Sequence, residues 1–545
     1  MASSPVRRVS AKVSLHLPVG KAFAVNSHRP RGSIMVTCTG RRLSRMSGTM
    51  HAYPPEGRRR LITLFSLAAA FMTQLDATIA NVALPHMQAS TSASREQITW
   101  VLTSYIIMSA IFTPLSGWLA SRFGRKRLFI TSVVGFTVAS MLCGMAANFE
   151  QLVLFRMLQG MMGAALLPMS QAILLDINPP ERHGSAMATW GVGVILGPIC
   201  GPILGGWLIE IFNWRWIFFI NLPFGILSVL GLLAVLPAFE DENAVDLDFT
   251  GFALLAVAIG SFQLMLDRGQ MLDWFESREI WIEAVLAATS FYLFMVHTLT
   301  TDRPFVNLAI FRDRNFAVGS VFGFFLGGLM FSVMAMTAPL LSDLMGYPAM
   351  LVGFAMAPRG VGTMIMMPVV GALVNRSDPR VLIVVGMVIS GLSAAMMAGF
   401  SLHMDARLVE LAGFVQGVGG AFLFVPITTV VFATIPAHLR NQGTAMNSLI
   451  RALGGSVWIS VMQSLTIRNE ASVHSRLVEG VRPDNPALAW RWPDFDFGSP
   501  IEMLRASGEI GRQALMVSYT NSFWLLYVIA FALAPLVLLL RYRRR

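Results

Sequence analysis

Asp76 lies well inside an apolar stretch of the chain, with Asn81 five residues further on. A carboxylate in such a setting has two uses. It pairs permanently with a cation, or it takes a proton in one conformation and releases it in another. Arg156 lies inside a second apolar stretch, one turn before Gly160 and beside Gln159 on the same helical turn. A guanidinium there can pair with a carboxylate or modulate its protonation. Arg359, which follows Pro358, and Arg451 are buried-type cations in the second half of the chain, where structural pairing is an equal reading. Asp267, Asp343, Glu283, His297 and Glu410 fall near the ends of apolar runs and read as solvated charges.

Three further features bear on chemistry. Gly193, Gly197, Gly201 and Gly205 recur every fourth residue, a smooth helix face for close approach, while Pro198 and Pro202 between them suggest a bend that shapes a cavity or gate. Cys38, Cys143 and Cys200 have no disulfide or zinc spacing and read as packing residues. There is no Gly-x-x-x-x-Gly-Lys-Ser/Thr loop, so no nucleotide drives the machine and no cofactor is expected. A proton gradient is the remaining energy source.

The elements that must position these residues follow from composition. Of 545 residues, 55% are hydrophobic and 13% charged, and mean hydropathy is +0.62. That excludes a soluble enzyme and a disordered chain. Apolar runs long enough to cross a bilayer occur at 61–84, 98–118, 128–147, 152–175, 187–210, 216–237, 249–266, 281–300, 316–341, 350–374, 381–400, 408–434, 444–466 and 520–540, fourteen in all. Backbone groups in lipid must pair within their own segment, so these are helices. Lys and Arg alternate between short loops, 18 against five, which predicts a multi-pass membrane protein with both termini cytoplasmic. On that reading 467–519, rich in Pro and Trp, is a long extracytoplasmic loop.

Net charge is +11, and on a soluble protein that would suggest nucleic acid. Nine basic residues lie before residue 46 with no acid among them, leaving 32 against 30 elsewhere, so no nucleic-acid partner is expected. Residues 1–57 read either as a disordered basic leader resembling a transit peptide or as the product of a start assigned too far upstream.

The chain also repeats itself. Gln159-Gly160 and Gly163-Ala164 recur as Gln416-Gly417 and Gly420-Ala421, at an offset of 257. Gly184-Ser185-Ala186-Met187 recurs as Gly443-Thr444-Ala445-Met446, at 259, and Gly117, Leu119 and Arg122 recur as Gly371, Leu373 and Arg376, at 254. This divides the chain into a six-helix bundle at 58–240, two linker helices within 241–315 and a second six-helix bundle at 316–545. Matched halves imply a central cavity exposed alternately to each side, the plan of a carrier and not of an enzyme.

These residues resemble a known family. Leu75-Asp76-Ala77-Thr78-Ile79-Ala80-Asn81, the loop Gly117-Trp118-Leu119-Ala120-Ser121-Arg122-Phe123-Gly124-Arg125-Lys126, Arg156 with Gln159-Gly160, and the Gly-Pro pattern at Gly197-Pro198 and Gly201-Pro202 are similar to the motifs of the major facilitator superfamily. Met265-Leu266-Asp267-Arg268-Gly269-Gln270 is similar to the EmrB branch of its fourteen-span drug:proton antiporters of the EmrB/QacA kind. The resemblance implies export of amphipathic or cationic toxic compounds in exchange for protons, with Asp76 and Arg156 in proton coupling. Small-molecule substrates and membrane lipid are the implied partners, with a periplasmic adaptor and an outer-membrane channel if the EmrB likeness extends to assembly. Ser121 departs from the pattern, because the family loop carries an acid there that contacts the neighbouring helix. A carrier for one physiological solute (a siderophore, metabolite or lipid) and a membrane sensor or enzyme without transport remain as alternatives.

Overall fold

In hydrocarbon an unpaired backbone N–H or C=O costs several kcal/mol, roughly, so helices alone suit these apolar runs. The computed structural model describes residues 53–541 except 238–245, 437–438 and scattered positions between 483 and 494, and its regular elements among these are all helical. The basic leader up to residue 52, with Cys38, lies outside the described residues, as do Glu240–Glu242 and Arg543–Arg545.

The first half comprises α1 (Glu56–Thr91), α2 (Arg95–Phe123), α3 (Arg125–Met145), α4 (Phe149–Gly163), α5 (Leu166–Ile177), α6 (His183–Ile211), α7 (Trp216–Phe219) and α8 (Asn221–Val235). The expected span 152–175 is thus two helices, divided at Ala164–Ala165. α6 is helical throughout despite Pro198 and Pro202. The linker pair is α9 (Phe249–Arg268) and α10 (Arg278–Thr300). The second half comprises α11 (Arg314–Pro339), α12 (Ala349–Val374), α13 (Pro379–Ala398), α14 (Ala406–Ala433), α15 (Arg440–Val478) and α16 (Pro500–Ala532).

Thirteen helices among the described residues are long and apolar enough to cross a membrane. The expected span 444–466 lies within α15, where Asn447, Arg451 and Gln463 dilute the apolar content. α15 packs against α2, α11 and α16, which buries Asn447 and half-buries Arg451, while Gln463 stays exposed. The segment 467–519, expected to be a loop, is helical at both ends, because α15 runs on to Val478 and α16 begins at Pro500. Those extensions carry too many charges to register as apolar runs.

Packing reproduces the repeat. α1 lies on α6 and α2 on α4, as α11 lies on α15 and α12 on α14. The halves meet by exchange, α6 on α12 and α15 on α2. At one end the repeated glycines make these contacts: a Cβ on Gly184 would lie 3.2 Å from Gly371 O, and one on Gly117 would lie 3.1 Å from Gln442 Cα. The linker helices pack on each other, and α9 lies against α2 and α15. Asp248, just before α9, accepts hydrogen bonds from the N–H groups of Gly251 at 2.8 Å and Phe305 at 3.0 Å, and pairs with His297 at 2.8 Å. Burial pushes its carboxyl up, but these hydrogen bonds and the His297 partner outweigh burial and hold it below its ordinary value.

Candidate functional site

α4 begins at Asn148, whose side chain accepts from the Gln151 N–H at 2.9 Å. One turn past Arg156, Gly160 lets α2 come very close: a Cβ there would lie 2.4 Å from Tyr105 O. That approach brings the Val101 carbonyl to Arg156 Nε at 3.0 Å. The same guanidinium donates to Asp76 Oδ2 at 2.7 Å and to Gln159 Oε1 at 2.7 Å, and lies 4.4 Å from the centre of the Tyr105 ring.

Asp76 Oδ1 accepts from Gln159 Nε2 at 2.8 Å and from Asn221 Nδ2 at 2.9 Å. Asn221 also donates to Ser140 Oγ at 2.9 Å, and Ser140 in turn donates to Phe218 O at 2.9 Å. Asp76, Arg156, Gln159, Asn221 and Ser140 all have 0% exposure. One carboxylate thus collects donors from α4 and α8. A lone charge at mid-bilayer costs about 2.5–3.5 kcal/mol on insertion scales, and removing one partner of a buried pair about 3–5 kcal/mol. Asp76 and Arg156 therefore require each other while Asp76 is ionised. Two polar atoms here, Arg156 Nη2 and Asn221 Oδ1, are buried without a hydrogen-bond partner among the described residues.

The glycine face of α6 lies directly on α1 behind this carboxylate. A Cβ on Gly197 would sit 2.6 Å from Gln74 Cβ and 2.7 Å from Leu75 N, and one on Gly201 would sit 2.2 Å from Thr78 Oγ1. The adjoining face, with Pro202, turns to Gly353 of α12. Asn81 does not join the Asp76 cluster; it is exposed and donates to Ala77 O of its own helix at 3.2 Å.

Arg359 and Arg451 are in the other half, both half-buried. Arg359 donates to Met330 O of α11. The Arg451 guanidinium lies 5.5 Å from the Phe424 ring and 5.7 Å from the Trp190 ring. Trp190 of α6 and Phe424 of α14 stack across the two halves, 5.8 Å apart with planes at 12°. Among the described residues no carboxylate lies within 4.0 Å of either arginine.

The loop motif forms a third cluster. Gly124 joins α2 to α3 with φ of 88°, a conformation that suits glycine. Lys126 donates to Leu236 O at 2.6 Å and Leu233 O at 3.1 Å, closing the end of α8, and Arg122 is exposed. Ser121 donates to Gly117 O and Trp118 O within its own helix. The carboxylate at this end comes instead from Asp176 of α5, which pairs with Arg125 and, at 2.7 Å, with Arg440 of α15.

Residues 66–459 match the family model described as Major Facilitator Superfamily. The chain belongs to that superfamily. This facilitator is 36% identical to the multidrug export protein EmrB of Escherichia coli (strain K12) over 87% of its own length and 93% of the relative's. It is 37% identical to the fatty acid resistance protein FarB of Neisseria gonorrhoeae over 80% of its length and 87% of the relative's. The human organic anion transporter MFSD10 has the same fold, with a TM-score of 0.56 at 13% identity, covering 88% of this chain and all of the other. A facilitator of this kind is a multi-pass membrane transporter and not an enzyme.

The structure brings Gln159, expected to line a substrate cavity or gate, onto Asp76 and Arg156, and sets Arg359 and Arg451 apart from them. Asn221, Ser140 and Tyr105 complete the cluster and emerge only here. For Asn221 the sequence does hold a signal, since it is the lone amide in the apolar run 216–237.

Proposed function

We propose that this facilitator exports amphipathic toxic compounds in exchange for protons, with Asp76 as the proton-carrying group and Arg156 as its counter-charge. The observation that carries the reading is the fully buried carboxylate of Asp76, held by Arg156, Gln159 and Asn221. Protonation of Asp76 cancels its charge and releases Arg156 from the pair. The new O–H is a donor, and a flipped Asn221 amide offers it an acceptor in place of a donor. The carboxyl group is thus hydrogen-bonded in either charge state, while loss of its charge leaves Arg156 without an anion and alters how α1 is held to α4. The fit of α1 on the α6 glycines passes that change towards α12 in the other half. The names of the relatives, multidrug export and fatty acid resistance, support an amphipathic substrate.

On the same reading the chain resides in the inner membrane with both termini cytoplasmic. The Asp176–Arg440 end is then the cytoplasmic one, closed in this structure. The EmrB relationship supports work with a periplasmic adaptor and an outer-membrane channel. No cofactor is required.

The test is transport by purified protein in proteoliposomes under an imposed pH gradient, comparing the wild type with Asp76→Asn. Gradient-driven movement is expected from the wild type alone. Full gradient-driven activity in Asp76→Asn removes the proton role from this residue.

A further inference from the structure

The linker helix α9 lies against both α2 and α15, and its last turn holds one half on each side. Ser460 of α15 donates to Leu266 O at 2.8 Å, and Thr103 of α2 donates to the carboxylate of Asp267, the very next residue. Leu266 O belongs to the last turn of α9, where the helix itself supplies no donor. One turn earlier Gln263 donates to Ser456 of α15 at 3.0 Å. Thr103, Gln263 and Ser460 are buried, whereas Asp267 is exposed. Nearer Gly117 the hold of α9 on α2 is apolar, with the Phe252 ring 6.1 Å from that of Phe112.

The residues around Asp267 fix this turn in place. Arg268 points away to α10, where it pairs with Glu279 and lies 3.9 Å from Glu283. Asp273 and Trp274 adopt φ of 53° and 54°, a left-handed conformation uncommon outside glycine. That turn folds Trp274 back over Gly269, where a Cβ would lie 2.8 Å from the indole ring. Trp274 N–H donates to Gly269 O at 2.7 Å, and its indole N–H donates to Gln270 at 3.3 Å. The run Met265–Gln270, which no step of the export reading uses, is thus the fixture that sets Leu266 and Asp267.

We infer that the last turn of α9 is a clip between the two halves, and that Thr103, Asp267 and Ser460 are positioning residues of the transport cycle. At the other end of α2 and α15, beside Asp176 and Arg440, the two helices touch directly where Gly117 meets Gln442. Rocking one half on the other changes the separation of α2 and α15 in opposite senses at the two ends. The intact clip therefore holds the state that is closed at Asp176 and Arg440, and it releases one half as the other state forms. The α2 side is the one released. Water replaces Thr103 at the exposed Asp267, whereas parting from α15 leaves a buried hydroxyl and a last-turn carbonyl unpaired. The inference goes beyond the export reading, for it depends neither on the compound moved nor on the proton role of Asp76.

The test uses the full chain in phosphatidylcholine nanodiscs, with spin labels on the first turns of α6 and α15 in an otherwise cysteine-free protein. The variants are Thr103→Val, which keeps the side-chain shape and removes the donor, Thr103→Ser, which keeps the donor, Asp267→Asn and Ser460→Ala. Thr103→Val is expected to raise the ratio of the longer-distance to the shorter-distance population about three- to tenfold, the scale of one charge-assisted hydrogen bond discounted for the exposure of Asp267. Thr103→Ser stays at the wild-type ratio, and Asp267→Asn, whose amide oxygen still accepts but carries no charge, falls between. Ser460→Ala shifts the ratio in the same direction as Thr103→Val, because a clip opened on either side no longer joins the halves. For the same reason the double variant Thr103→Val with Ser460→Ala shifts little further than the larger of the two alone. A shift in only one of Thr103→Val and Ser460→Ala, a shift in neither, or shifts that add in the double variant overturn the proposal. Equal shifts in Thr103→Ser and Thr103→Val overturn it as well, since the hydroxyl is then not what matters. Should Thr103→Val fail to fold, Asp267→Asn against Ser460→Ala decides by the same comparison.

Discussion

Arg440 donates to Asp176 at 2.7 Å across 264 positions of sequence, and so ties the start of α15 to the end of α5. Arg125 of the loop motif shares that carboxylate. The three side chains are 11–19% exposed, at the end where Gly117 meets Gln442 and Gly184 meets Gly371. The acid missing at Ser121 is thus answered by an acid on the next helix but two. The repeat offset of 257 puts Ala433 opposite Asp176, so this acid has no counterpart at the equivalent position of the second half.

Removing the shared carboxylate leaves two arginines without their anion, whereas removing Arg440 leaves one satisfied pair. Asp176→Asn is therefore expected to open this end more than Arg440→Gln. The measurement is the distance between spin labels placed on the first turns of α6 and α15 in an otherwise cysteine-free protein. A longer-distance population larger in Asp176→Asn than in Arg440→Gln is expected. Identical distributions in all three proteins sink the latch.

A double-mutant cycle tests the mutual dependence of Asp76 and Arg156. Asp76→Asn and Arg156→Gln each strand a buried charge and are expected to destabilise by about 3–5 kcal/mol. Together they leave two neutral amides, so the pair should fall short of additivity by more than about 1 kcal/mol. Unfolding of the purified protein in detergent reads this directly, and strict additivity contradicts the coupling.

Asn221→Leu removes one donor from Asp76 and one from Ser140 while keeping the branched shape and the number of side-chain heavy atoms. Loss of a hydrogen bond to a charged group is worth about 1.5–3 kcal/mol. The expected result is a transport rate reduced about tenfold or more with the protein still folded, since one kcal/mol-scale loss at a coupling group acts on rate by the same factor. Asn221→Asp puts a second carboxylate against the first and is expected to be worse than Leu. Wild-type rates in both variants remove Asn221 from the site.

How much of this was legible beforehand follows from what each signal depends on. The helices show in apolar length alone, and the repeated glycines at 117, 184 and 371 turn out to be places where the halves touch, whereas Gly443 packs on Phe316, Phe432 and Ile435 of its own half. Asp76 and Arg156 are conspicuous because charge is rare in such runs. Asn221 and Ser140 are not, because a single amide or hydroxyl is common in membrane helices and only packing shows where it points. The partner of Arg440 was beyond reach for the same reason: Asp176 sits at a helix end, where an acid is ordinarily solvated. The long ends of α15 and α16 were hidden because charged residues erase the apolar signal while leaving the helix intact.

Asp248 allows a test against pH. Its carboxyl is held below the ordinary 3.8 by hydrogen bonds from Gly251, His297 and Phe305, against the opposing pull of burial. A folded-state value below the unfolded one contributes stability that is complete above the unfolded value and is lost as pH falls through the folded value. Asp248→Asn is therefore expected to lower the unfolding temperature near neutral pH and to make progressively less difference as the solution is acidified below about 4. A gap that stays constant through that range shows that the carboxylate charge contributes nothing.

The glycine face of α6 offers the sharpest contrast between neighbouring positions. A Cβ on Gly197 would press on Gln74 Cβ at 2.6 Å, Leu75 N at 2.7 Å and Gln74 C at 2.8 Å, two of them backbone atoms immediately before Asp76. A Cβ on Gly206 would meet nothing within 4 Å. Gly206→Ala should gain up to about 1 kcal/mol from helix propensity. Gly197→Ala carries the same propensity gain against an overpacking cost of about 1–3 kcal/mol, and it moves α1 where Asp76 meets Arg156. Thermal unfolding and gradient-driven transport, measured on the two variants side by side, decide the matter. Gly206→Ala is expected to match or exceed the wild type in stability with full transport, and Gly197→Ala to lose transport even where its stability falls little. If Gly197→Ala transports normally, the close seat of α1 on α6 is not what carries the protonation change to the second half.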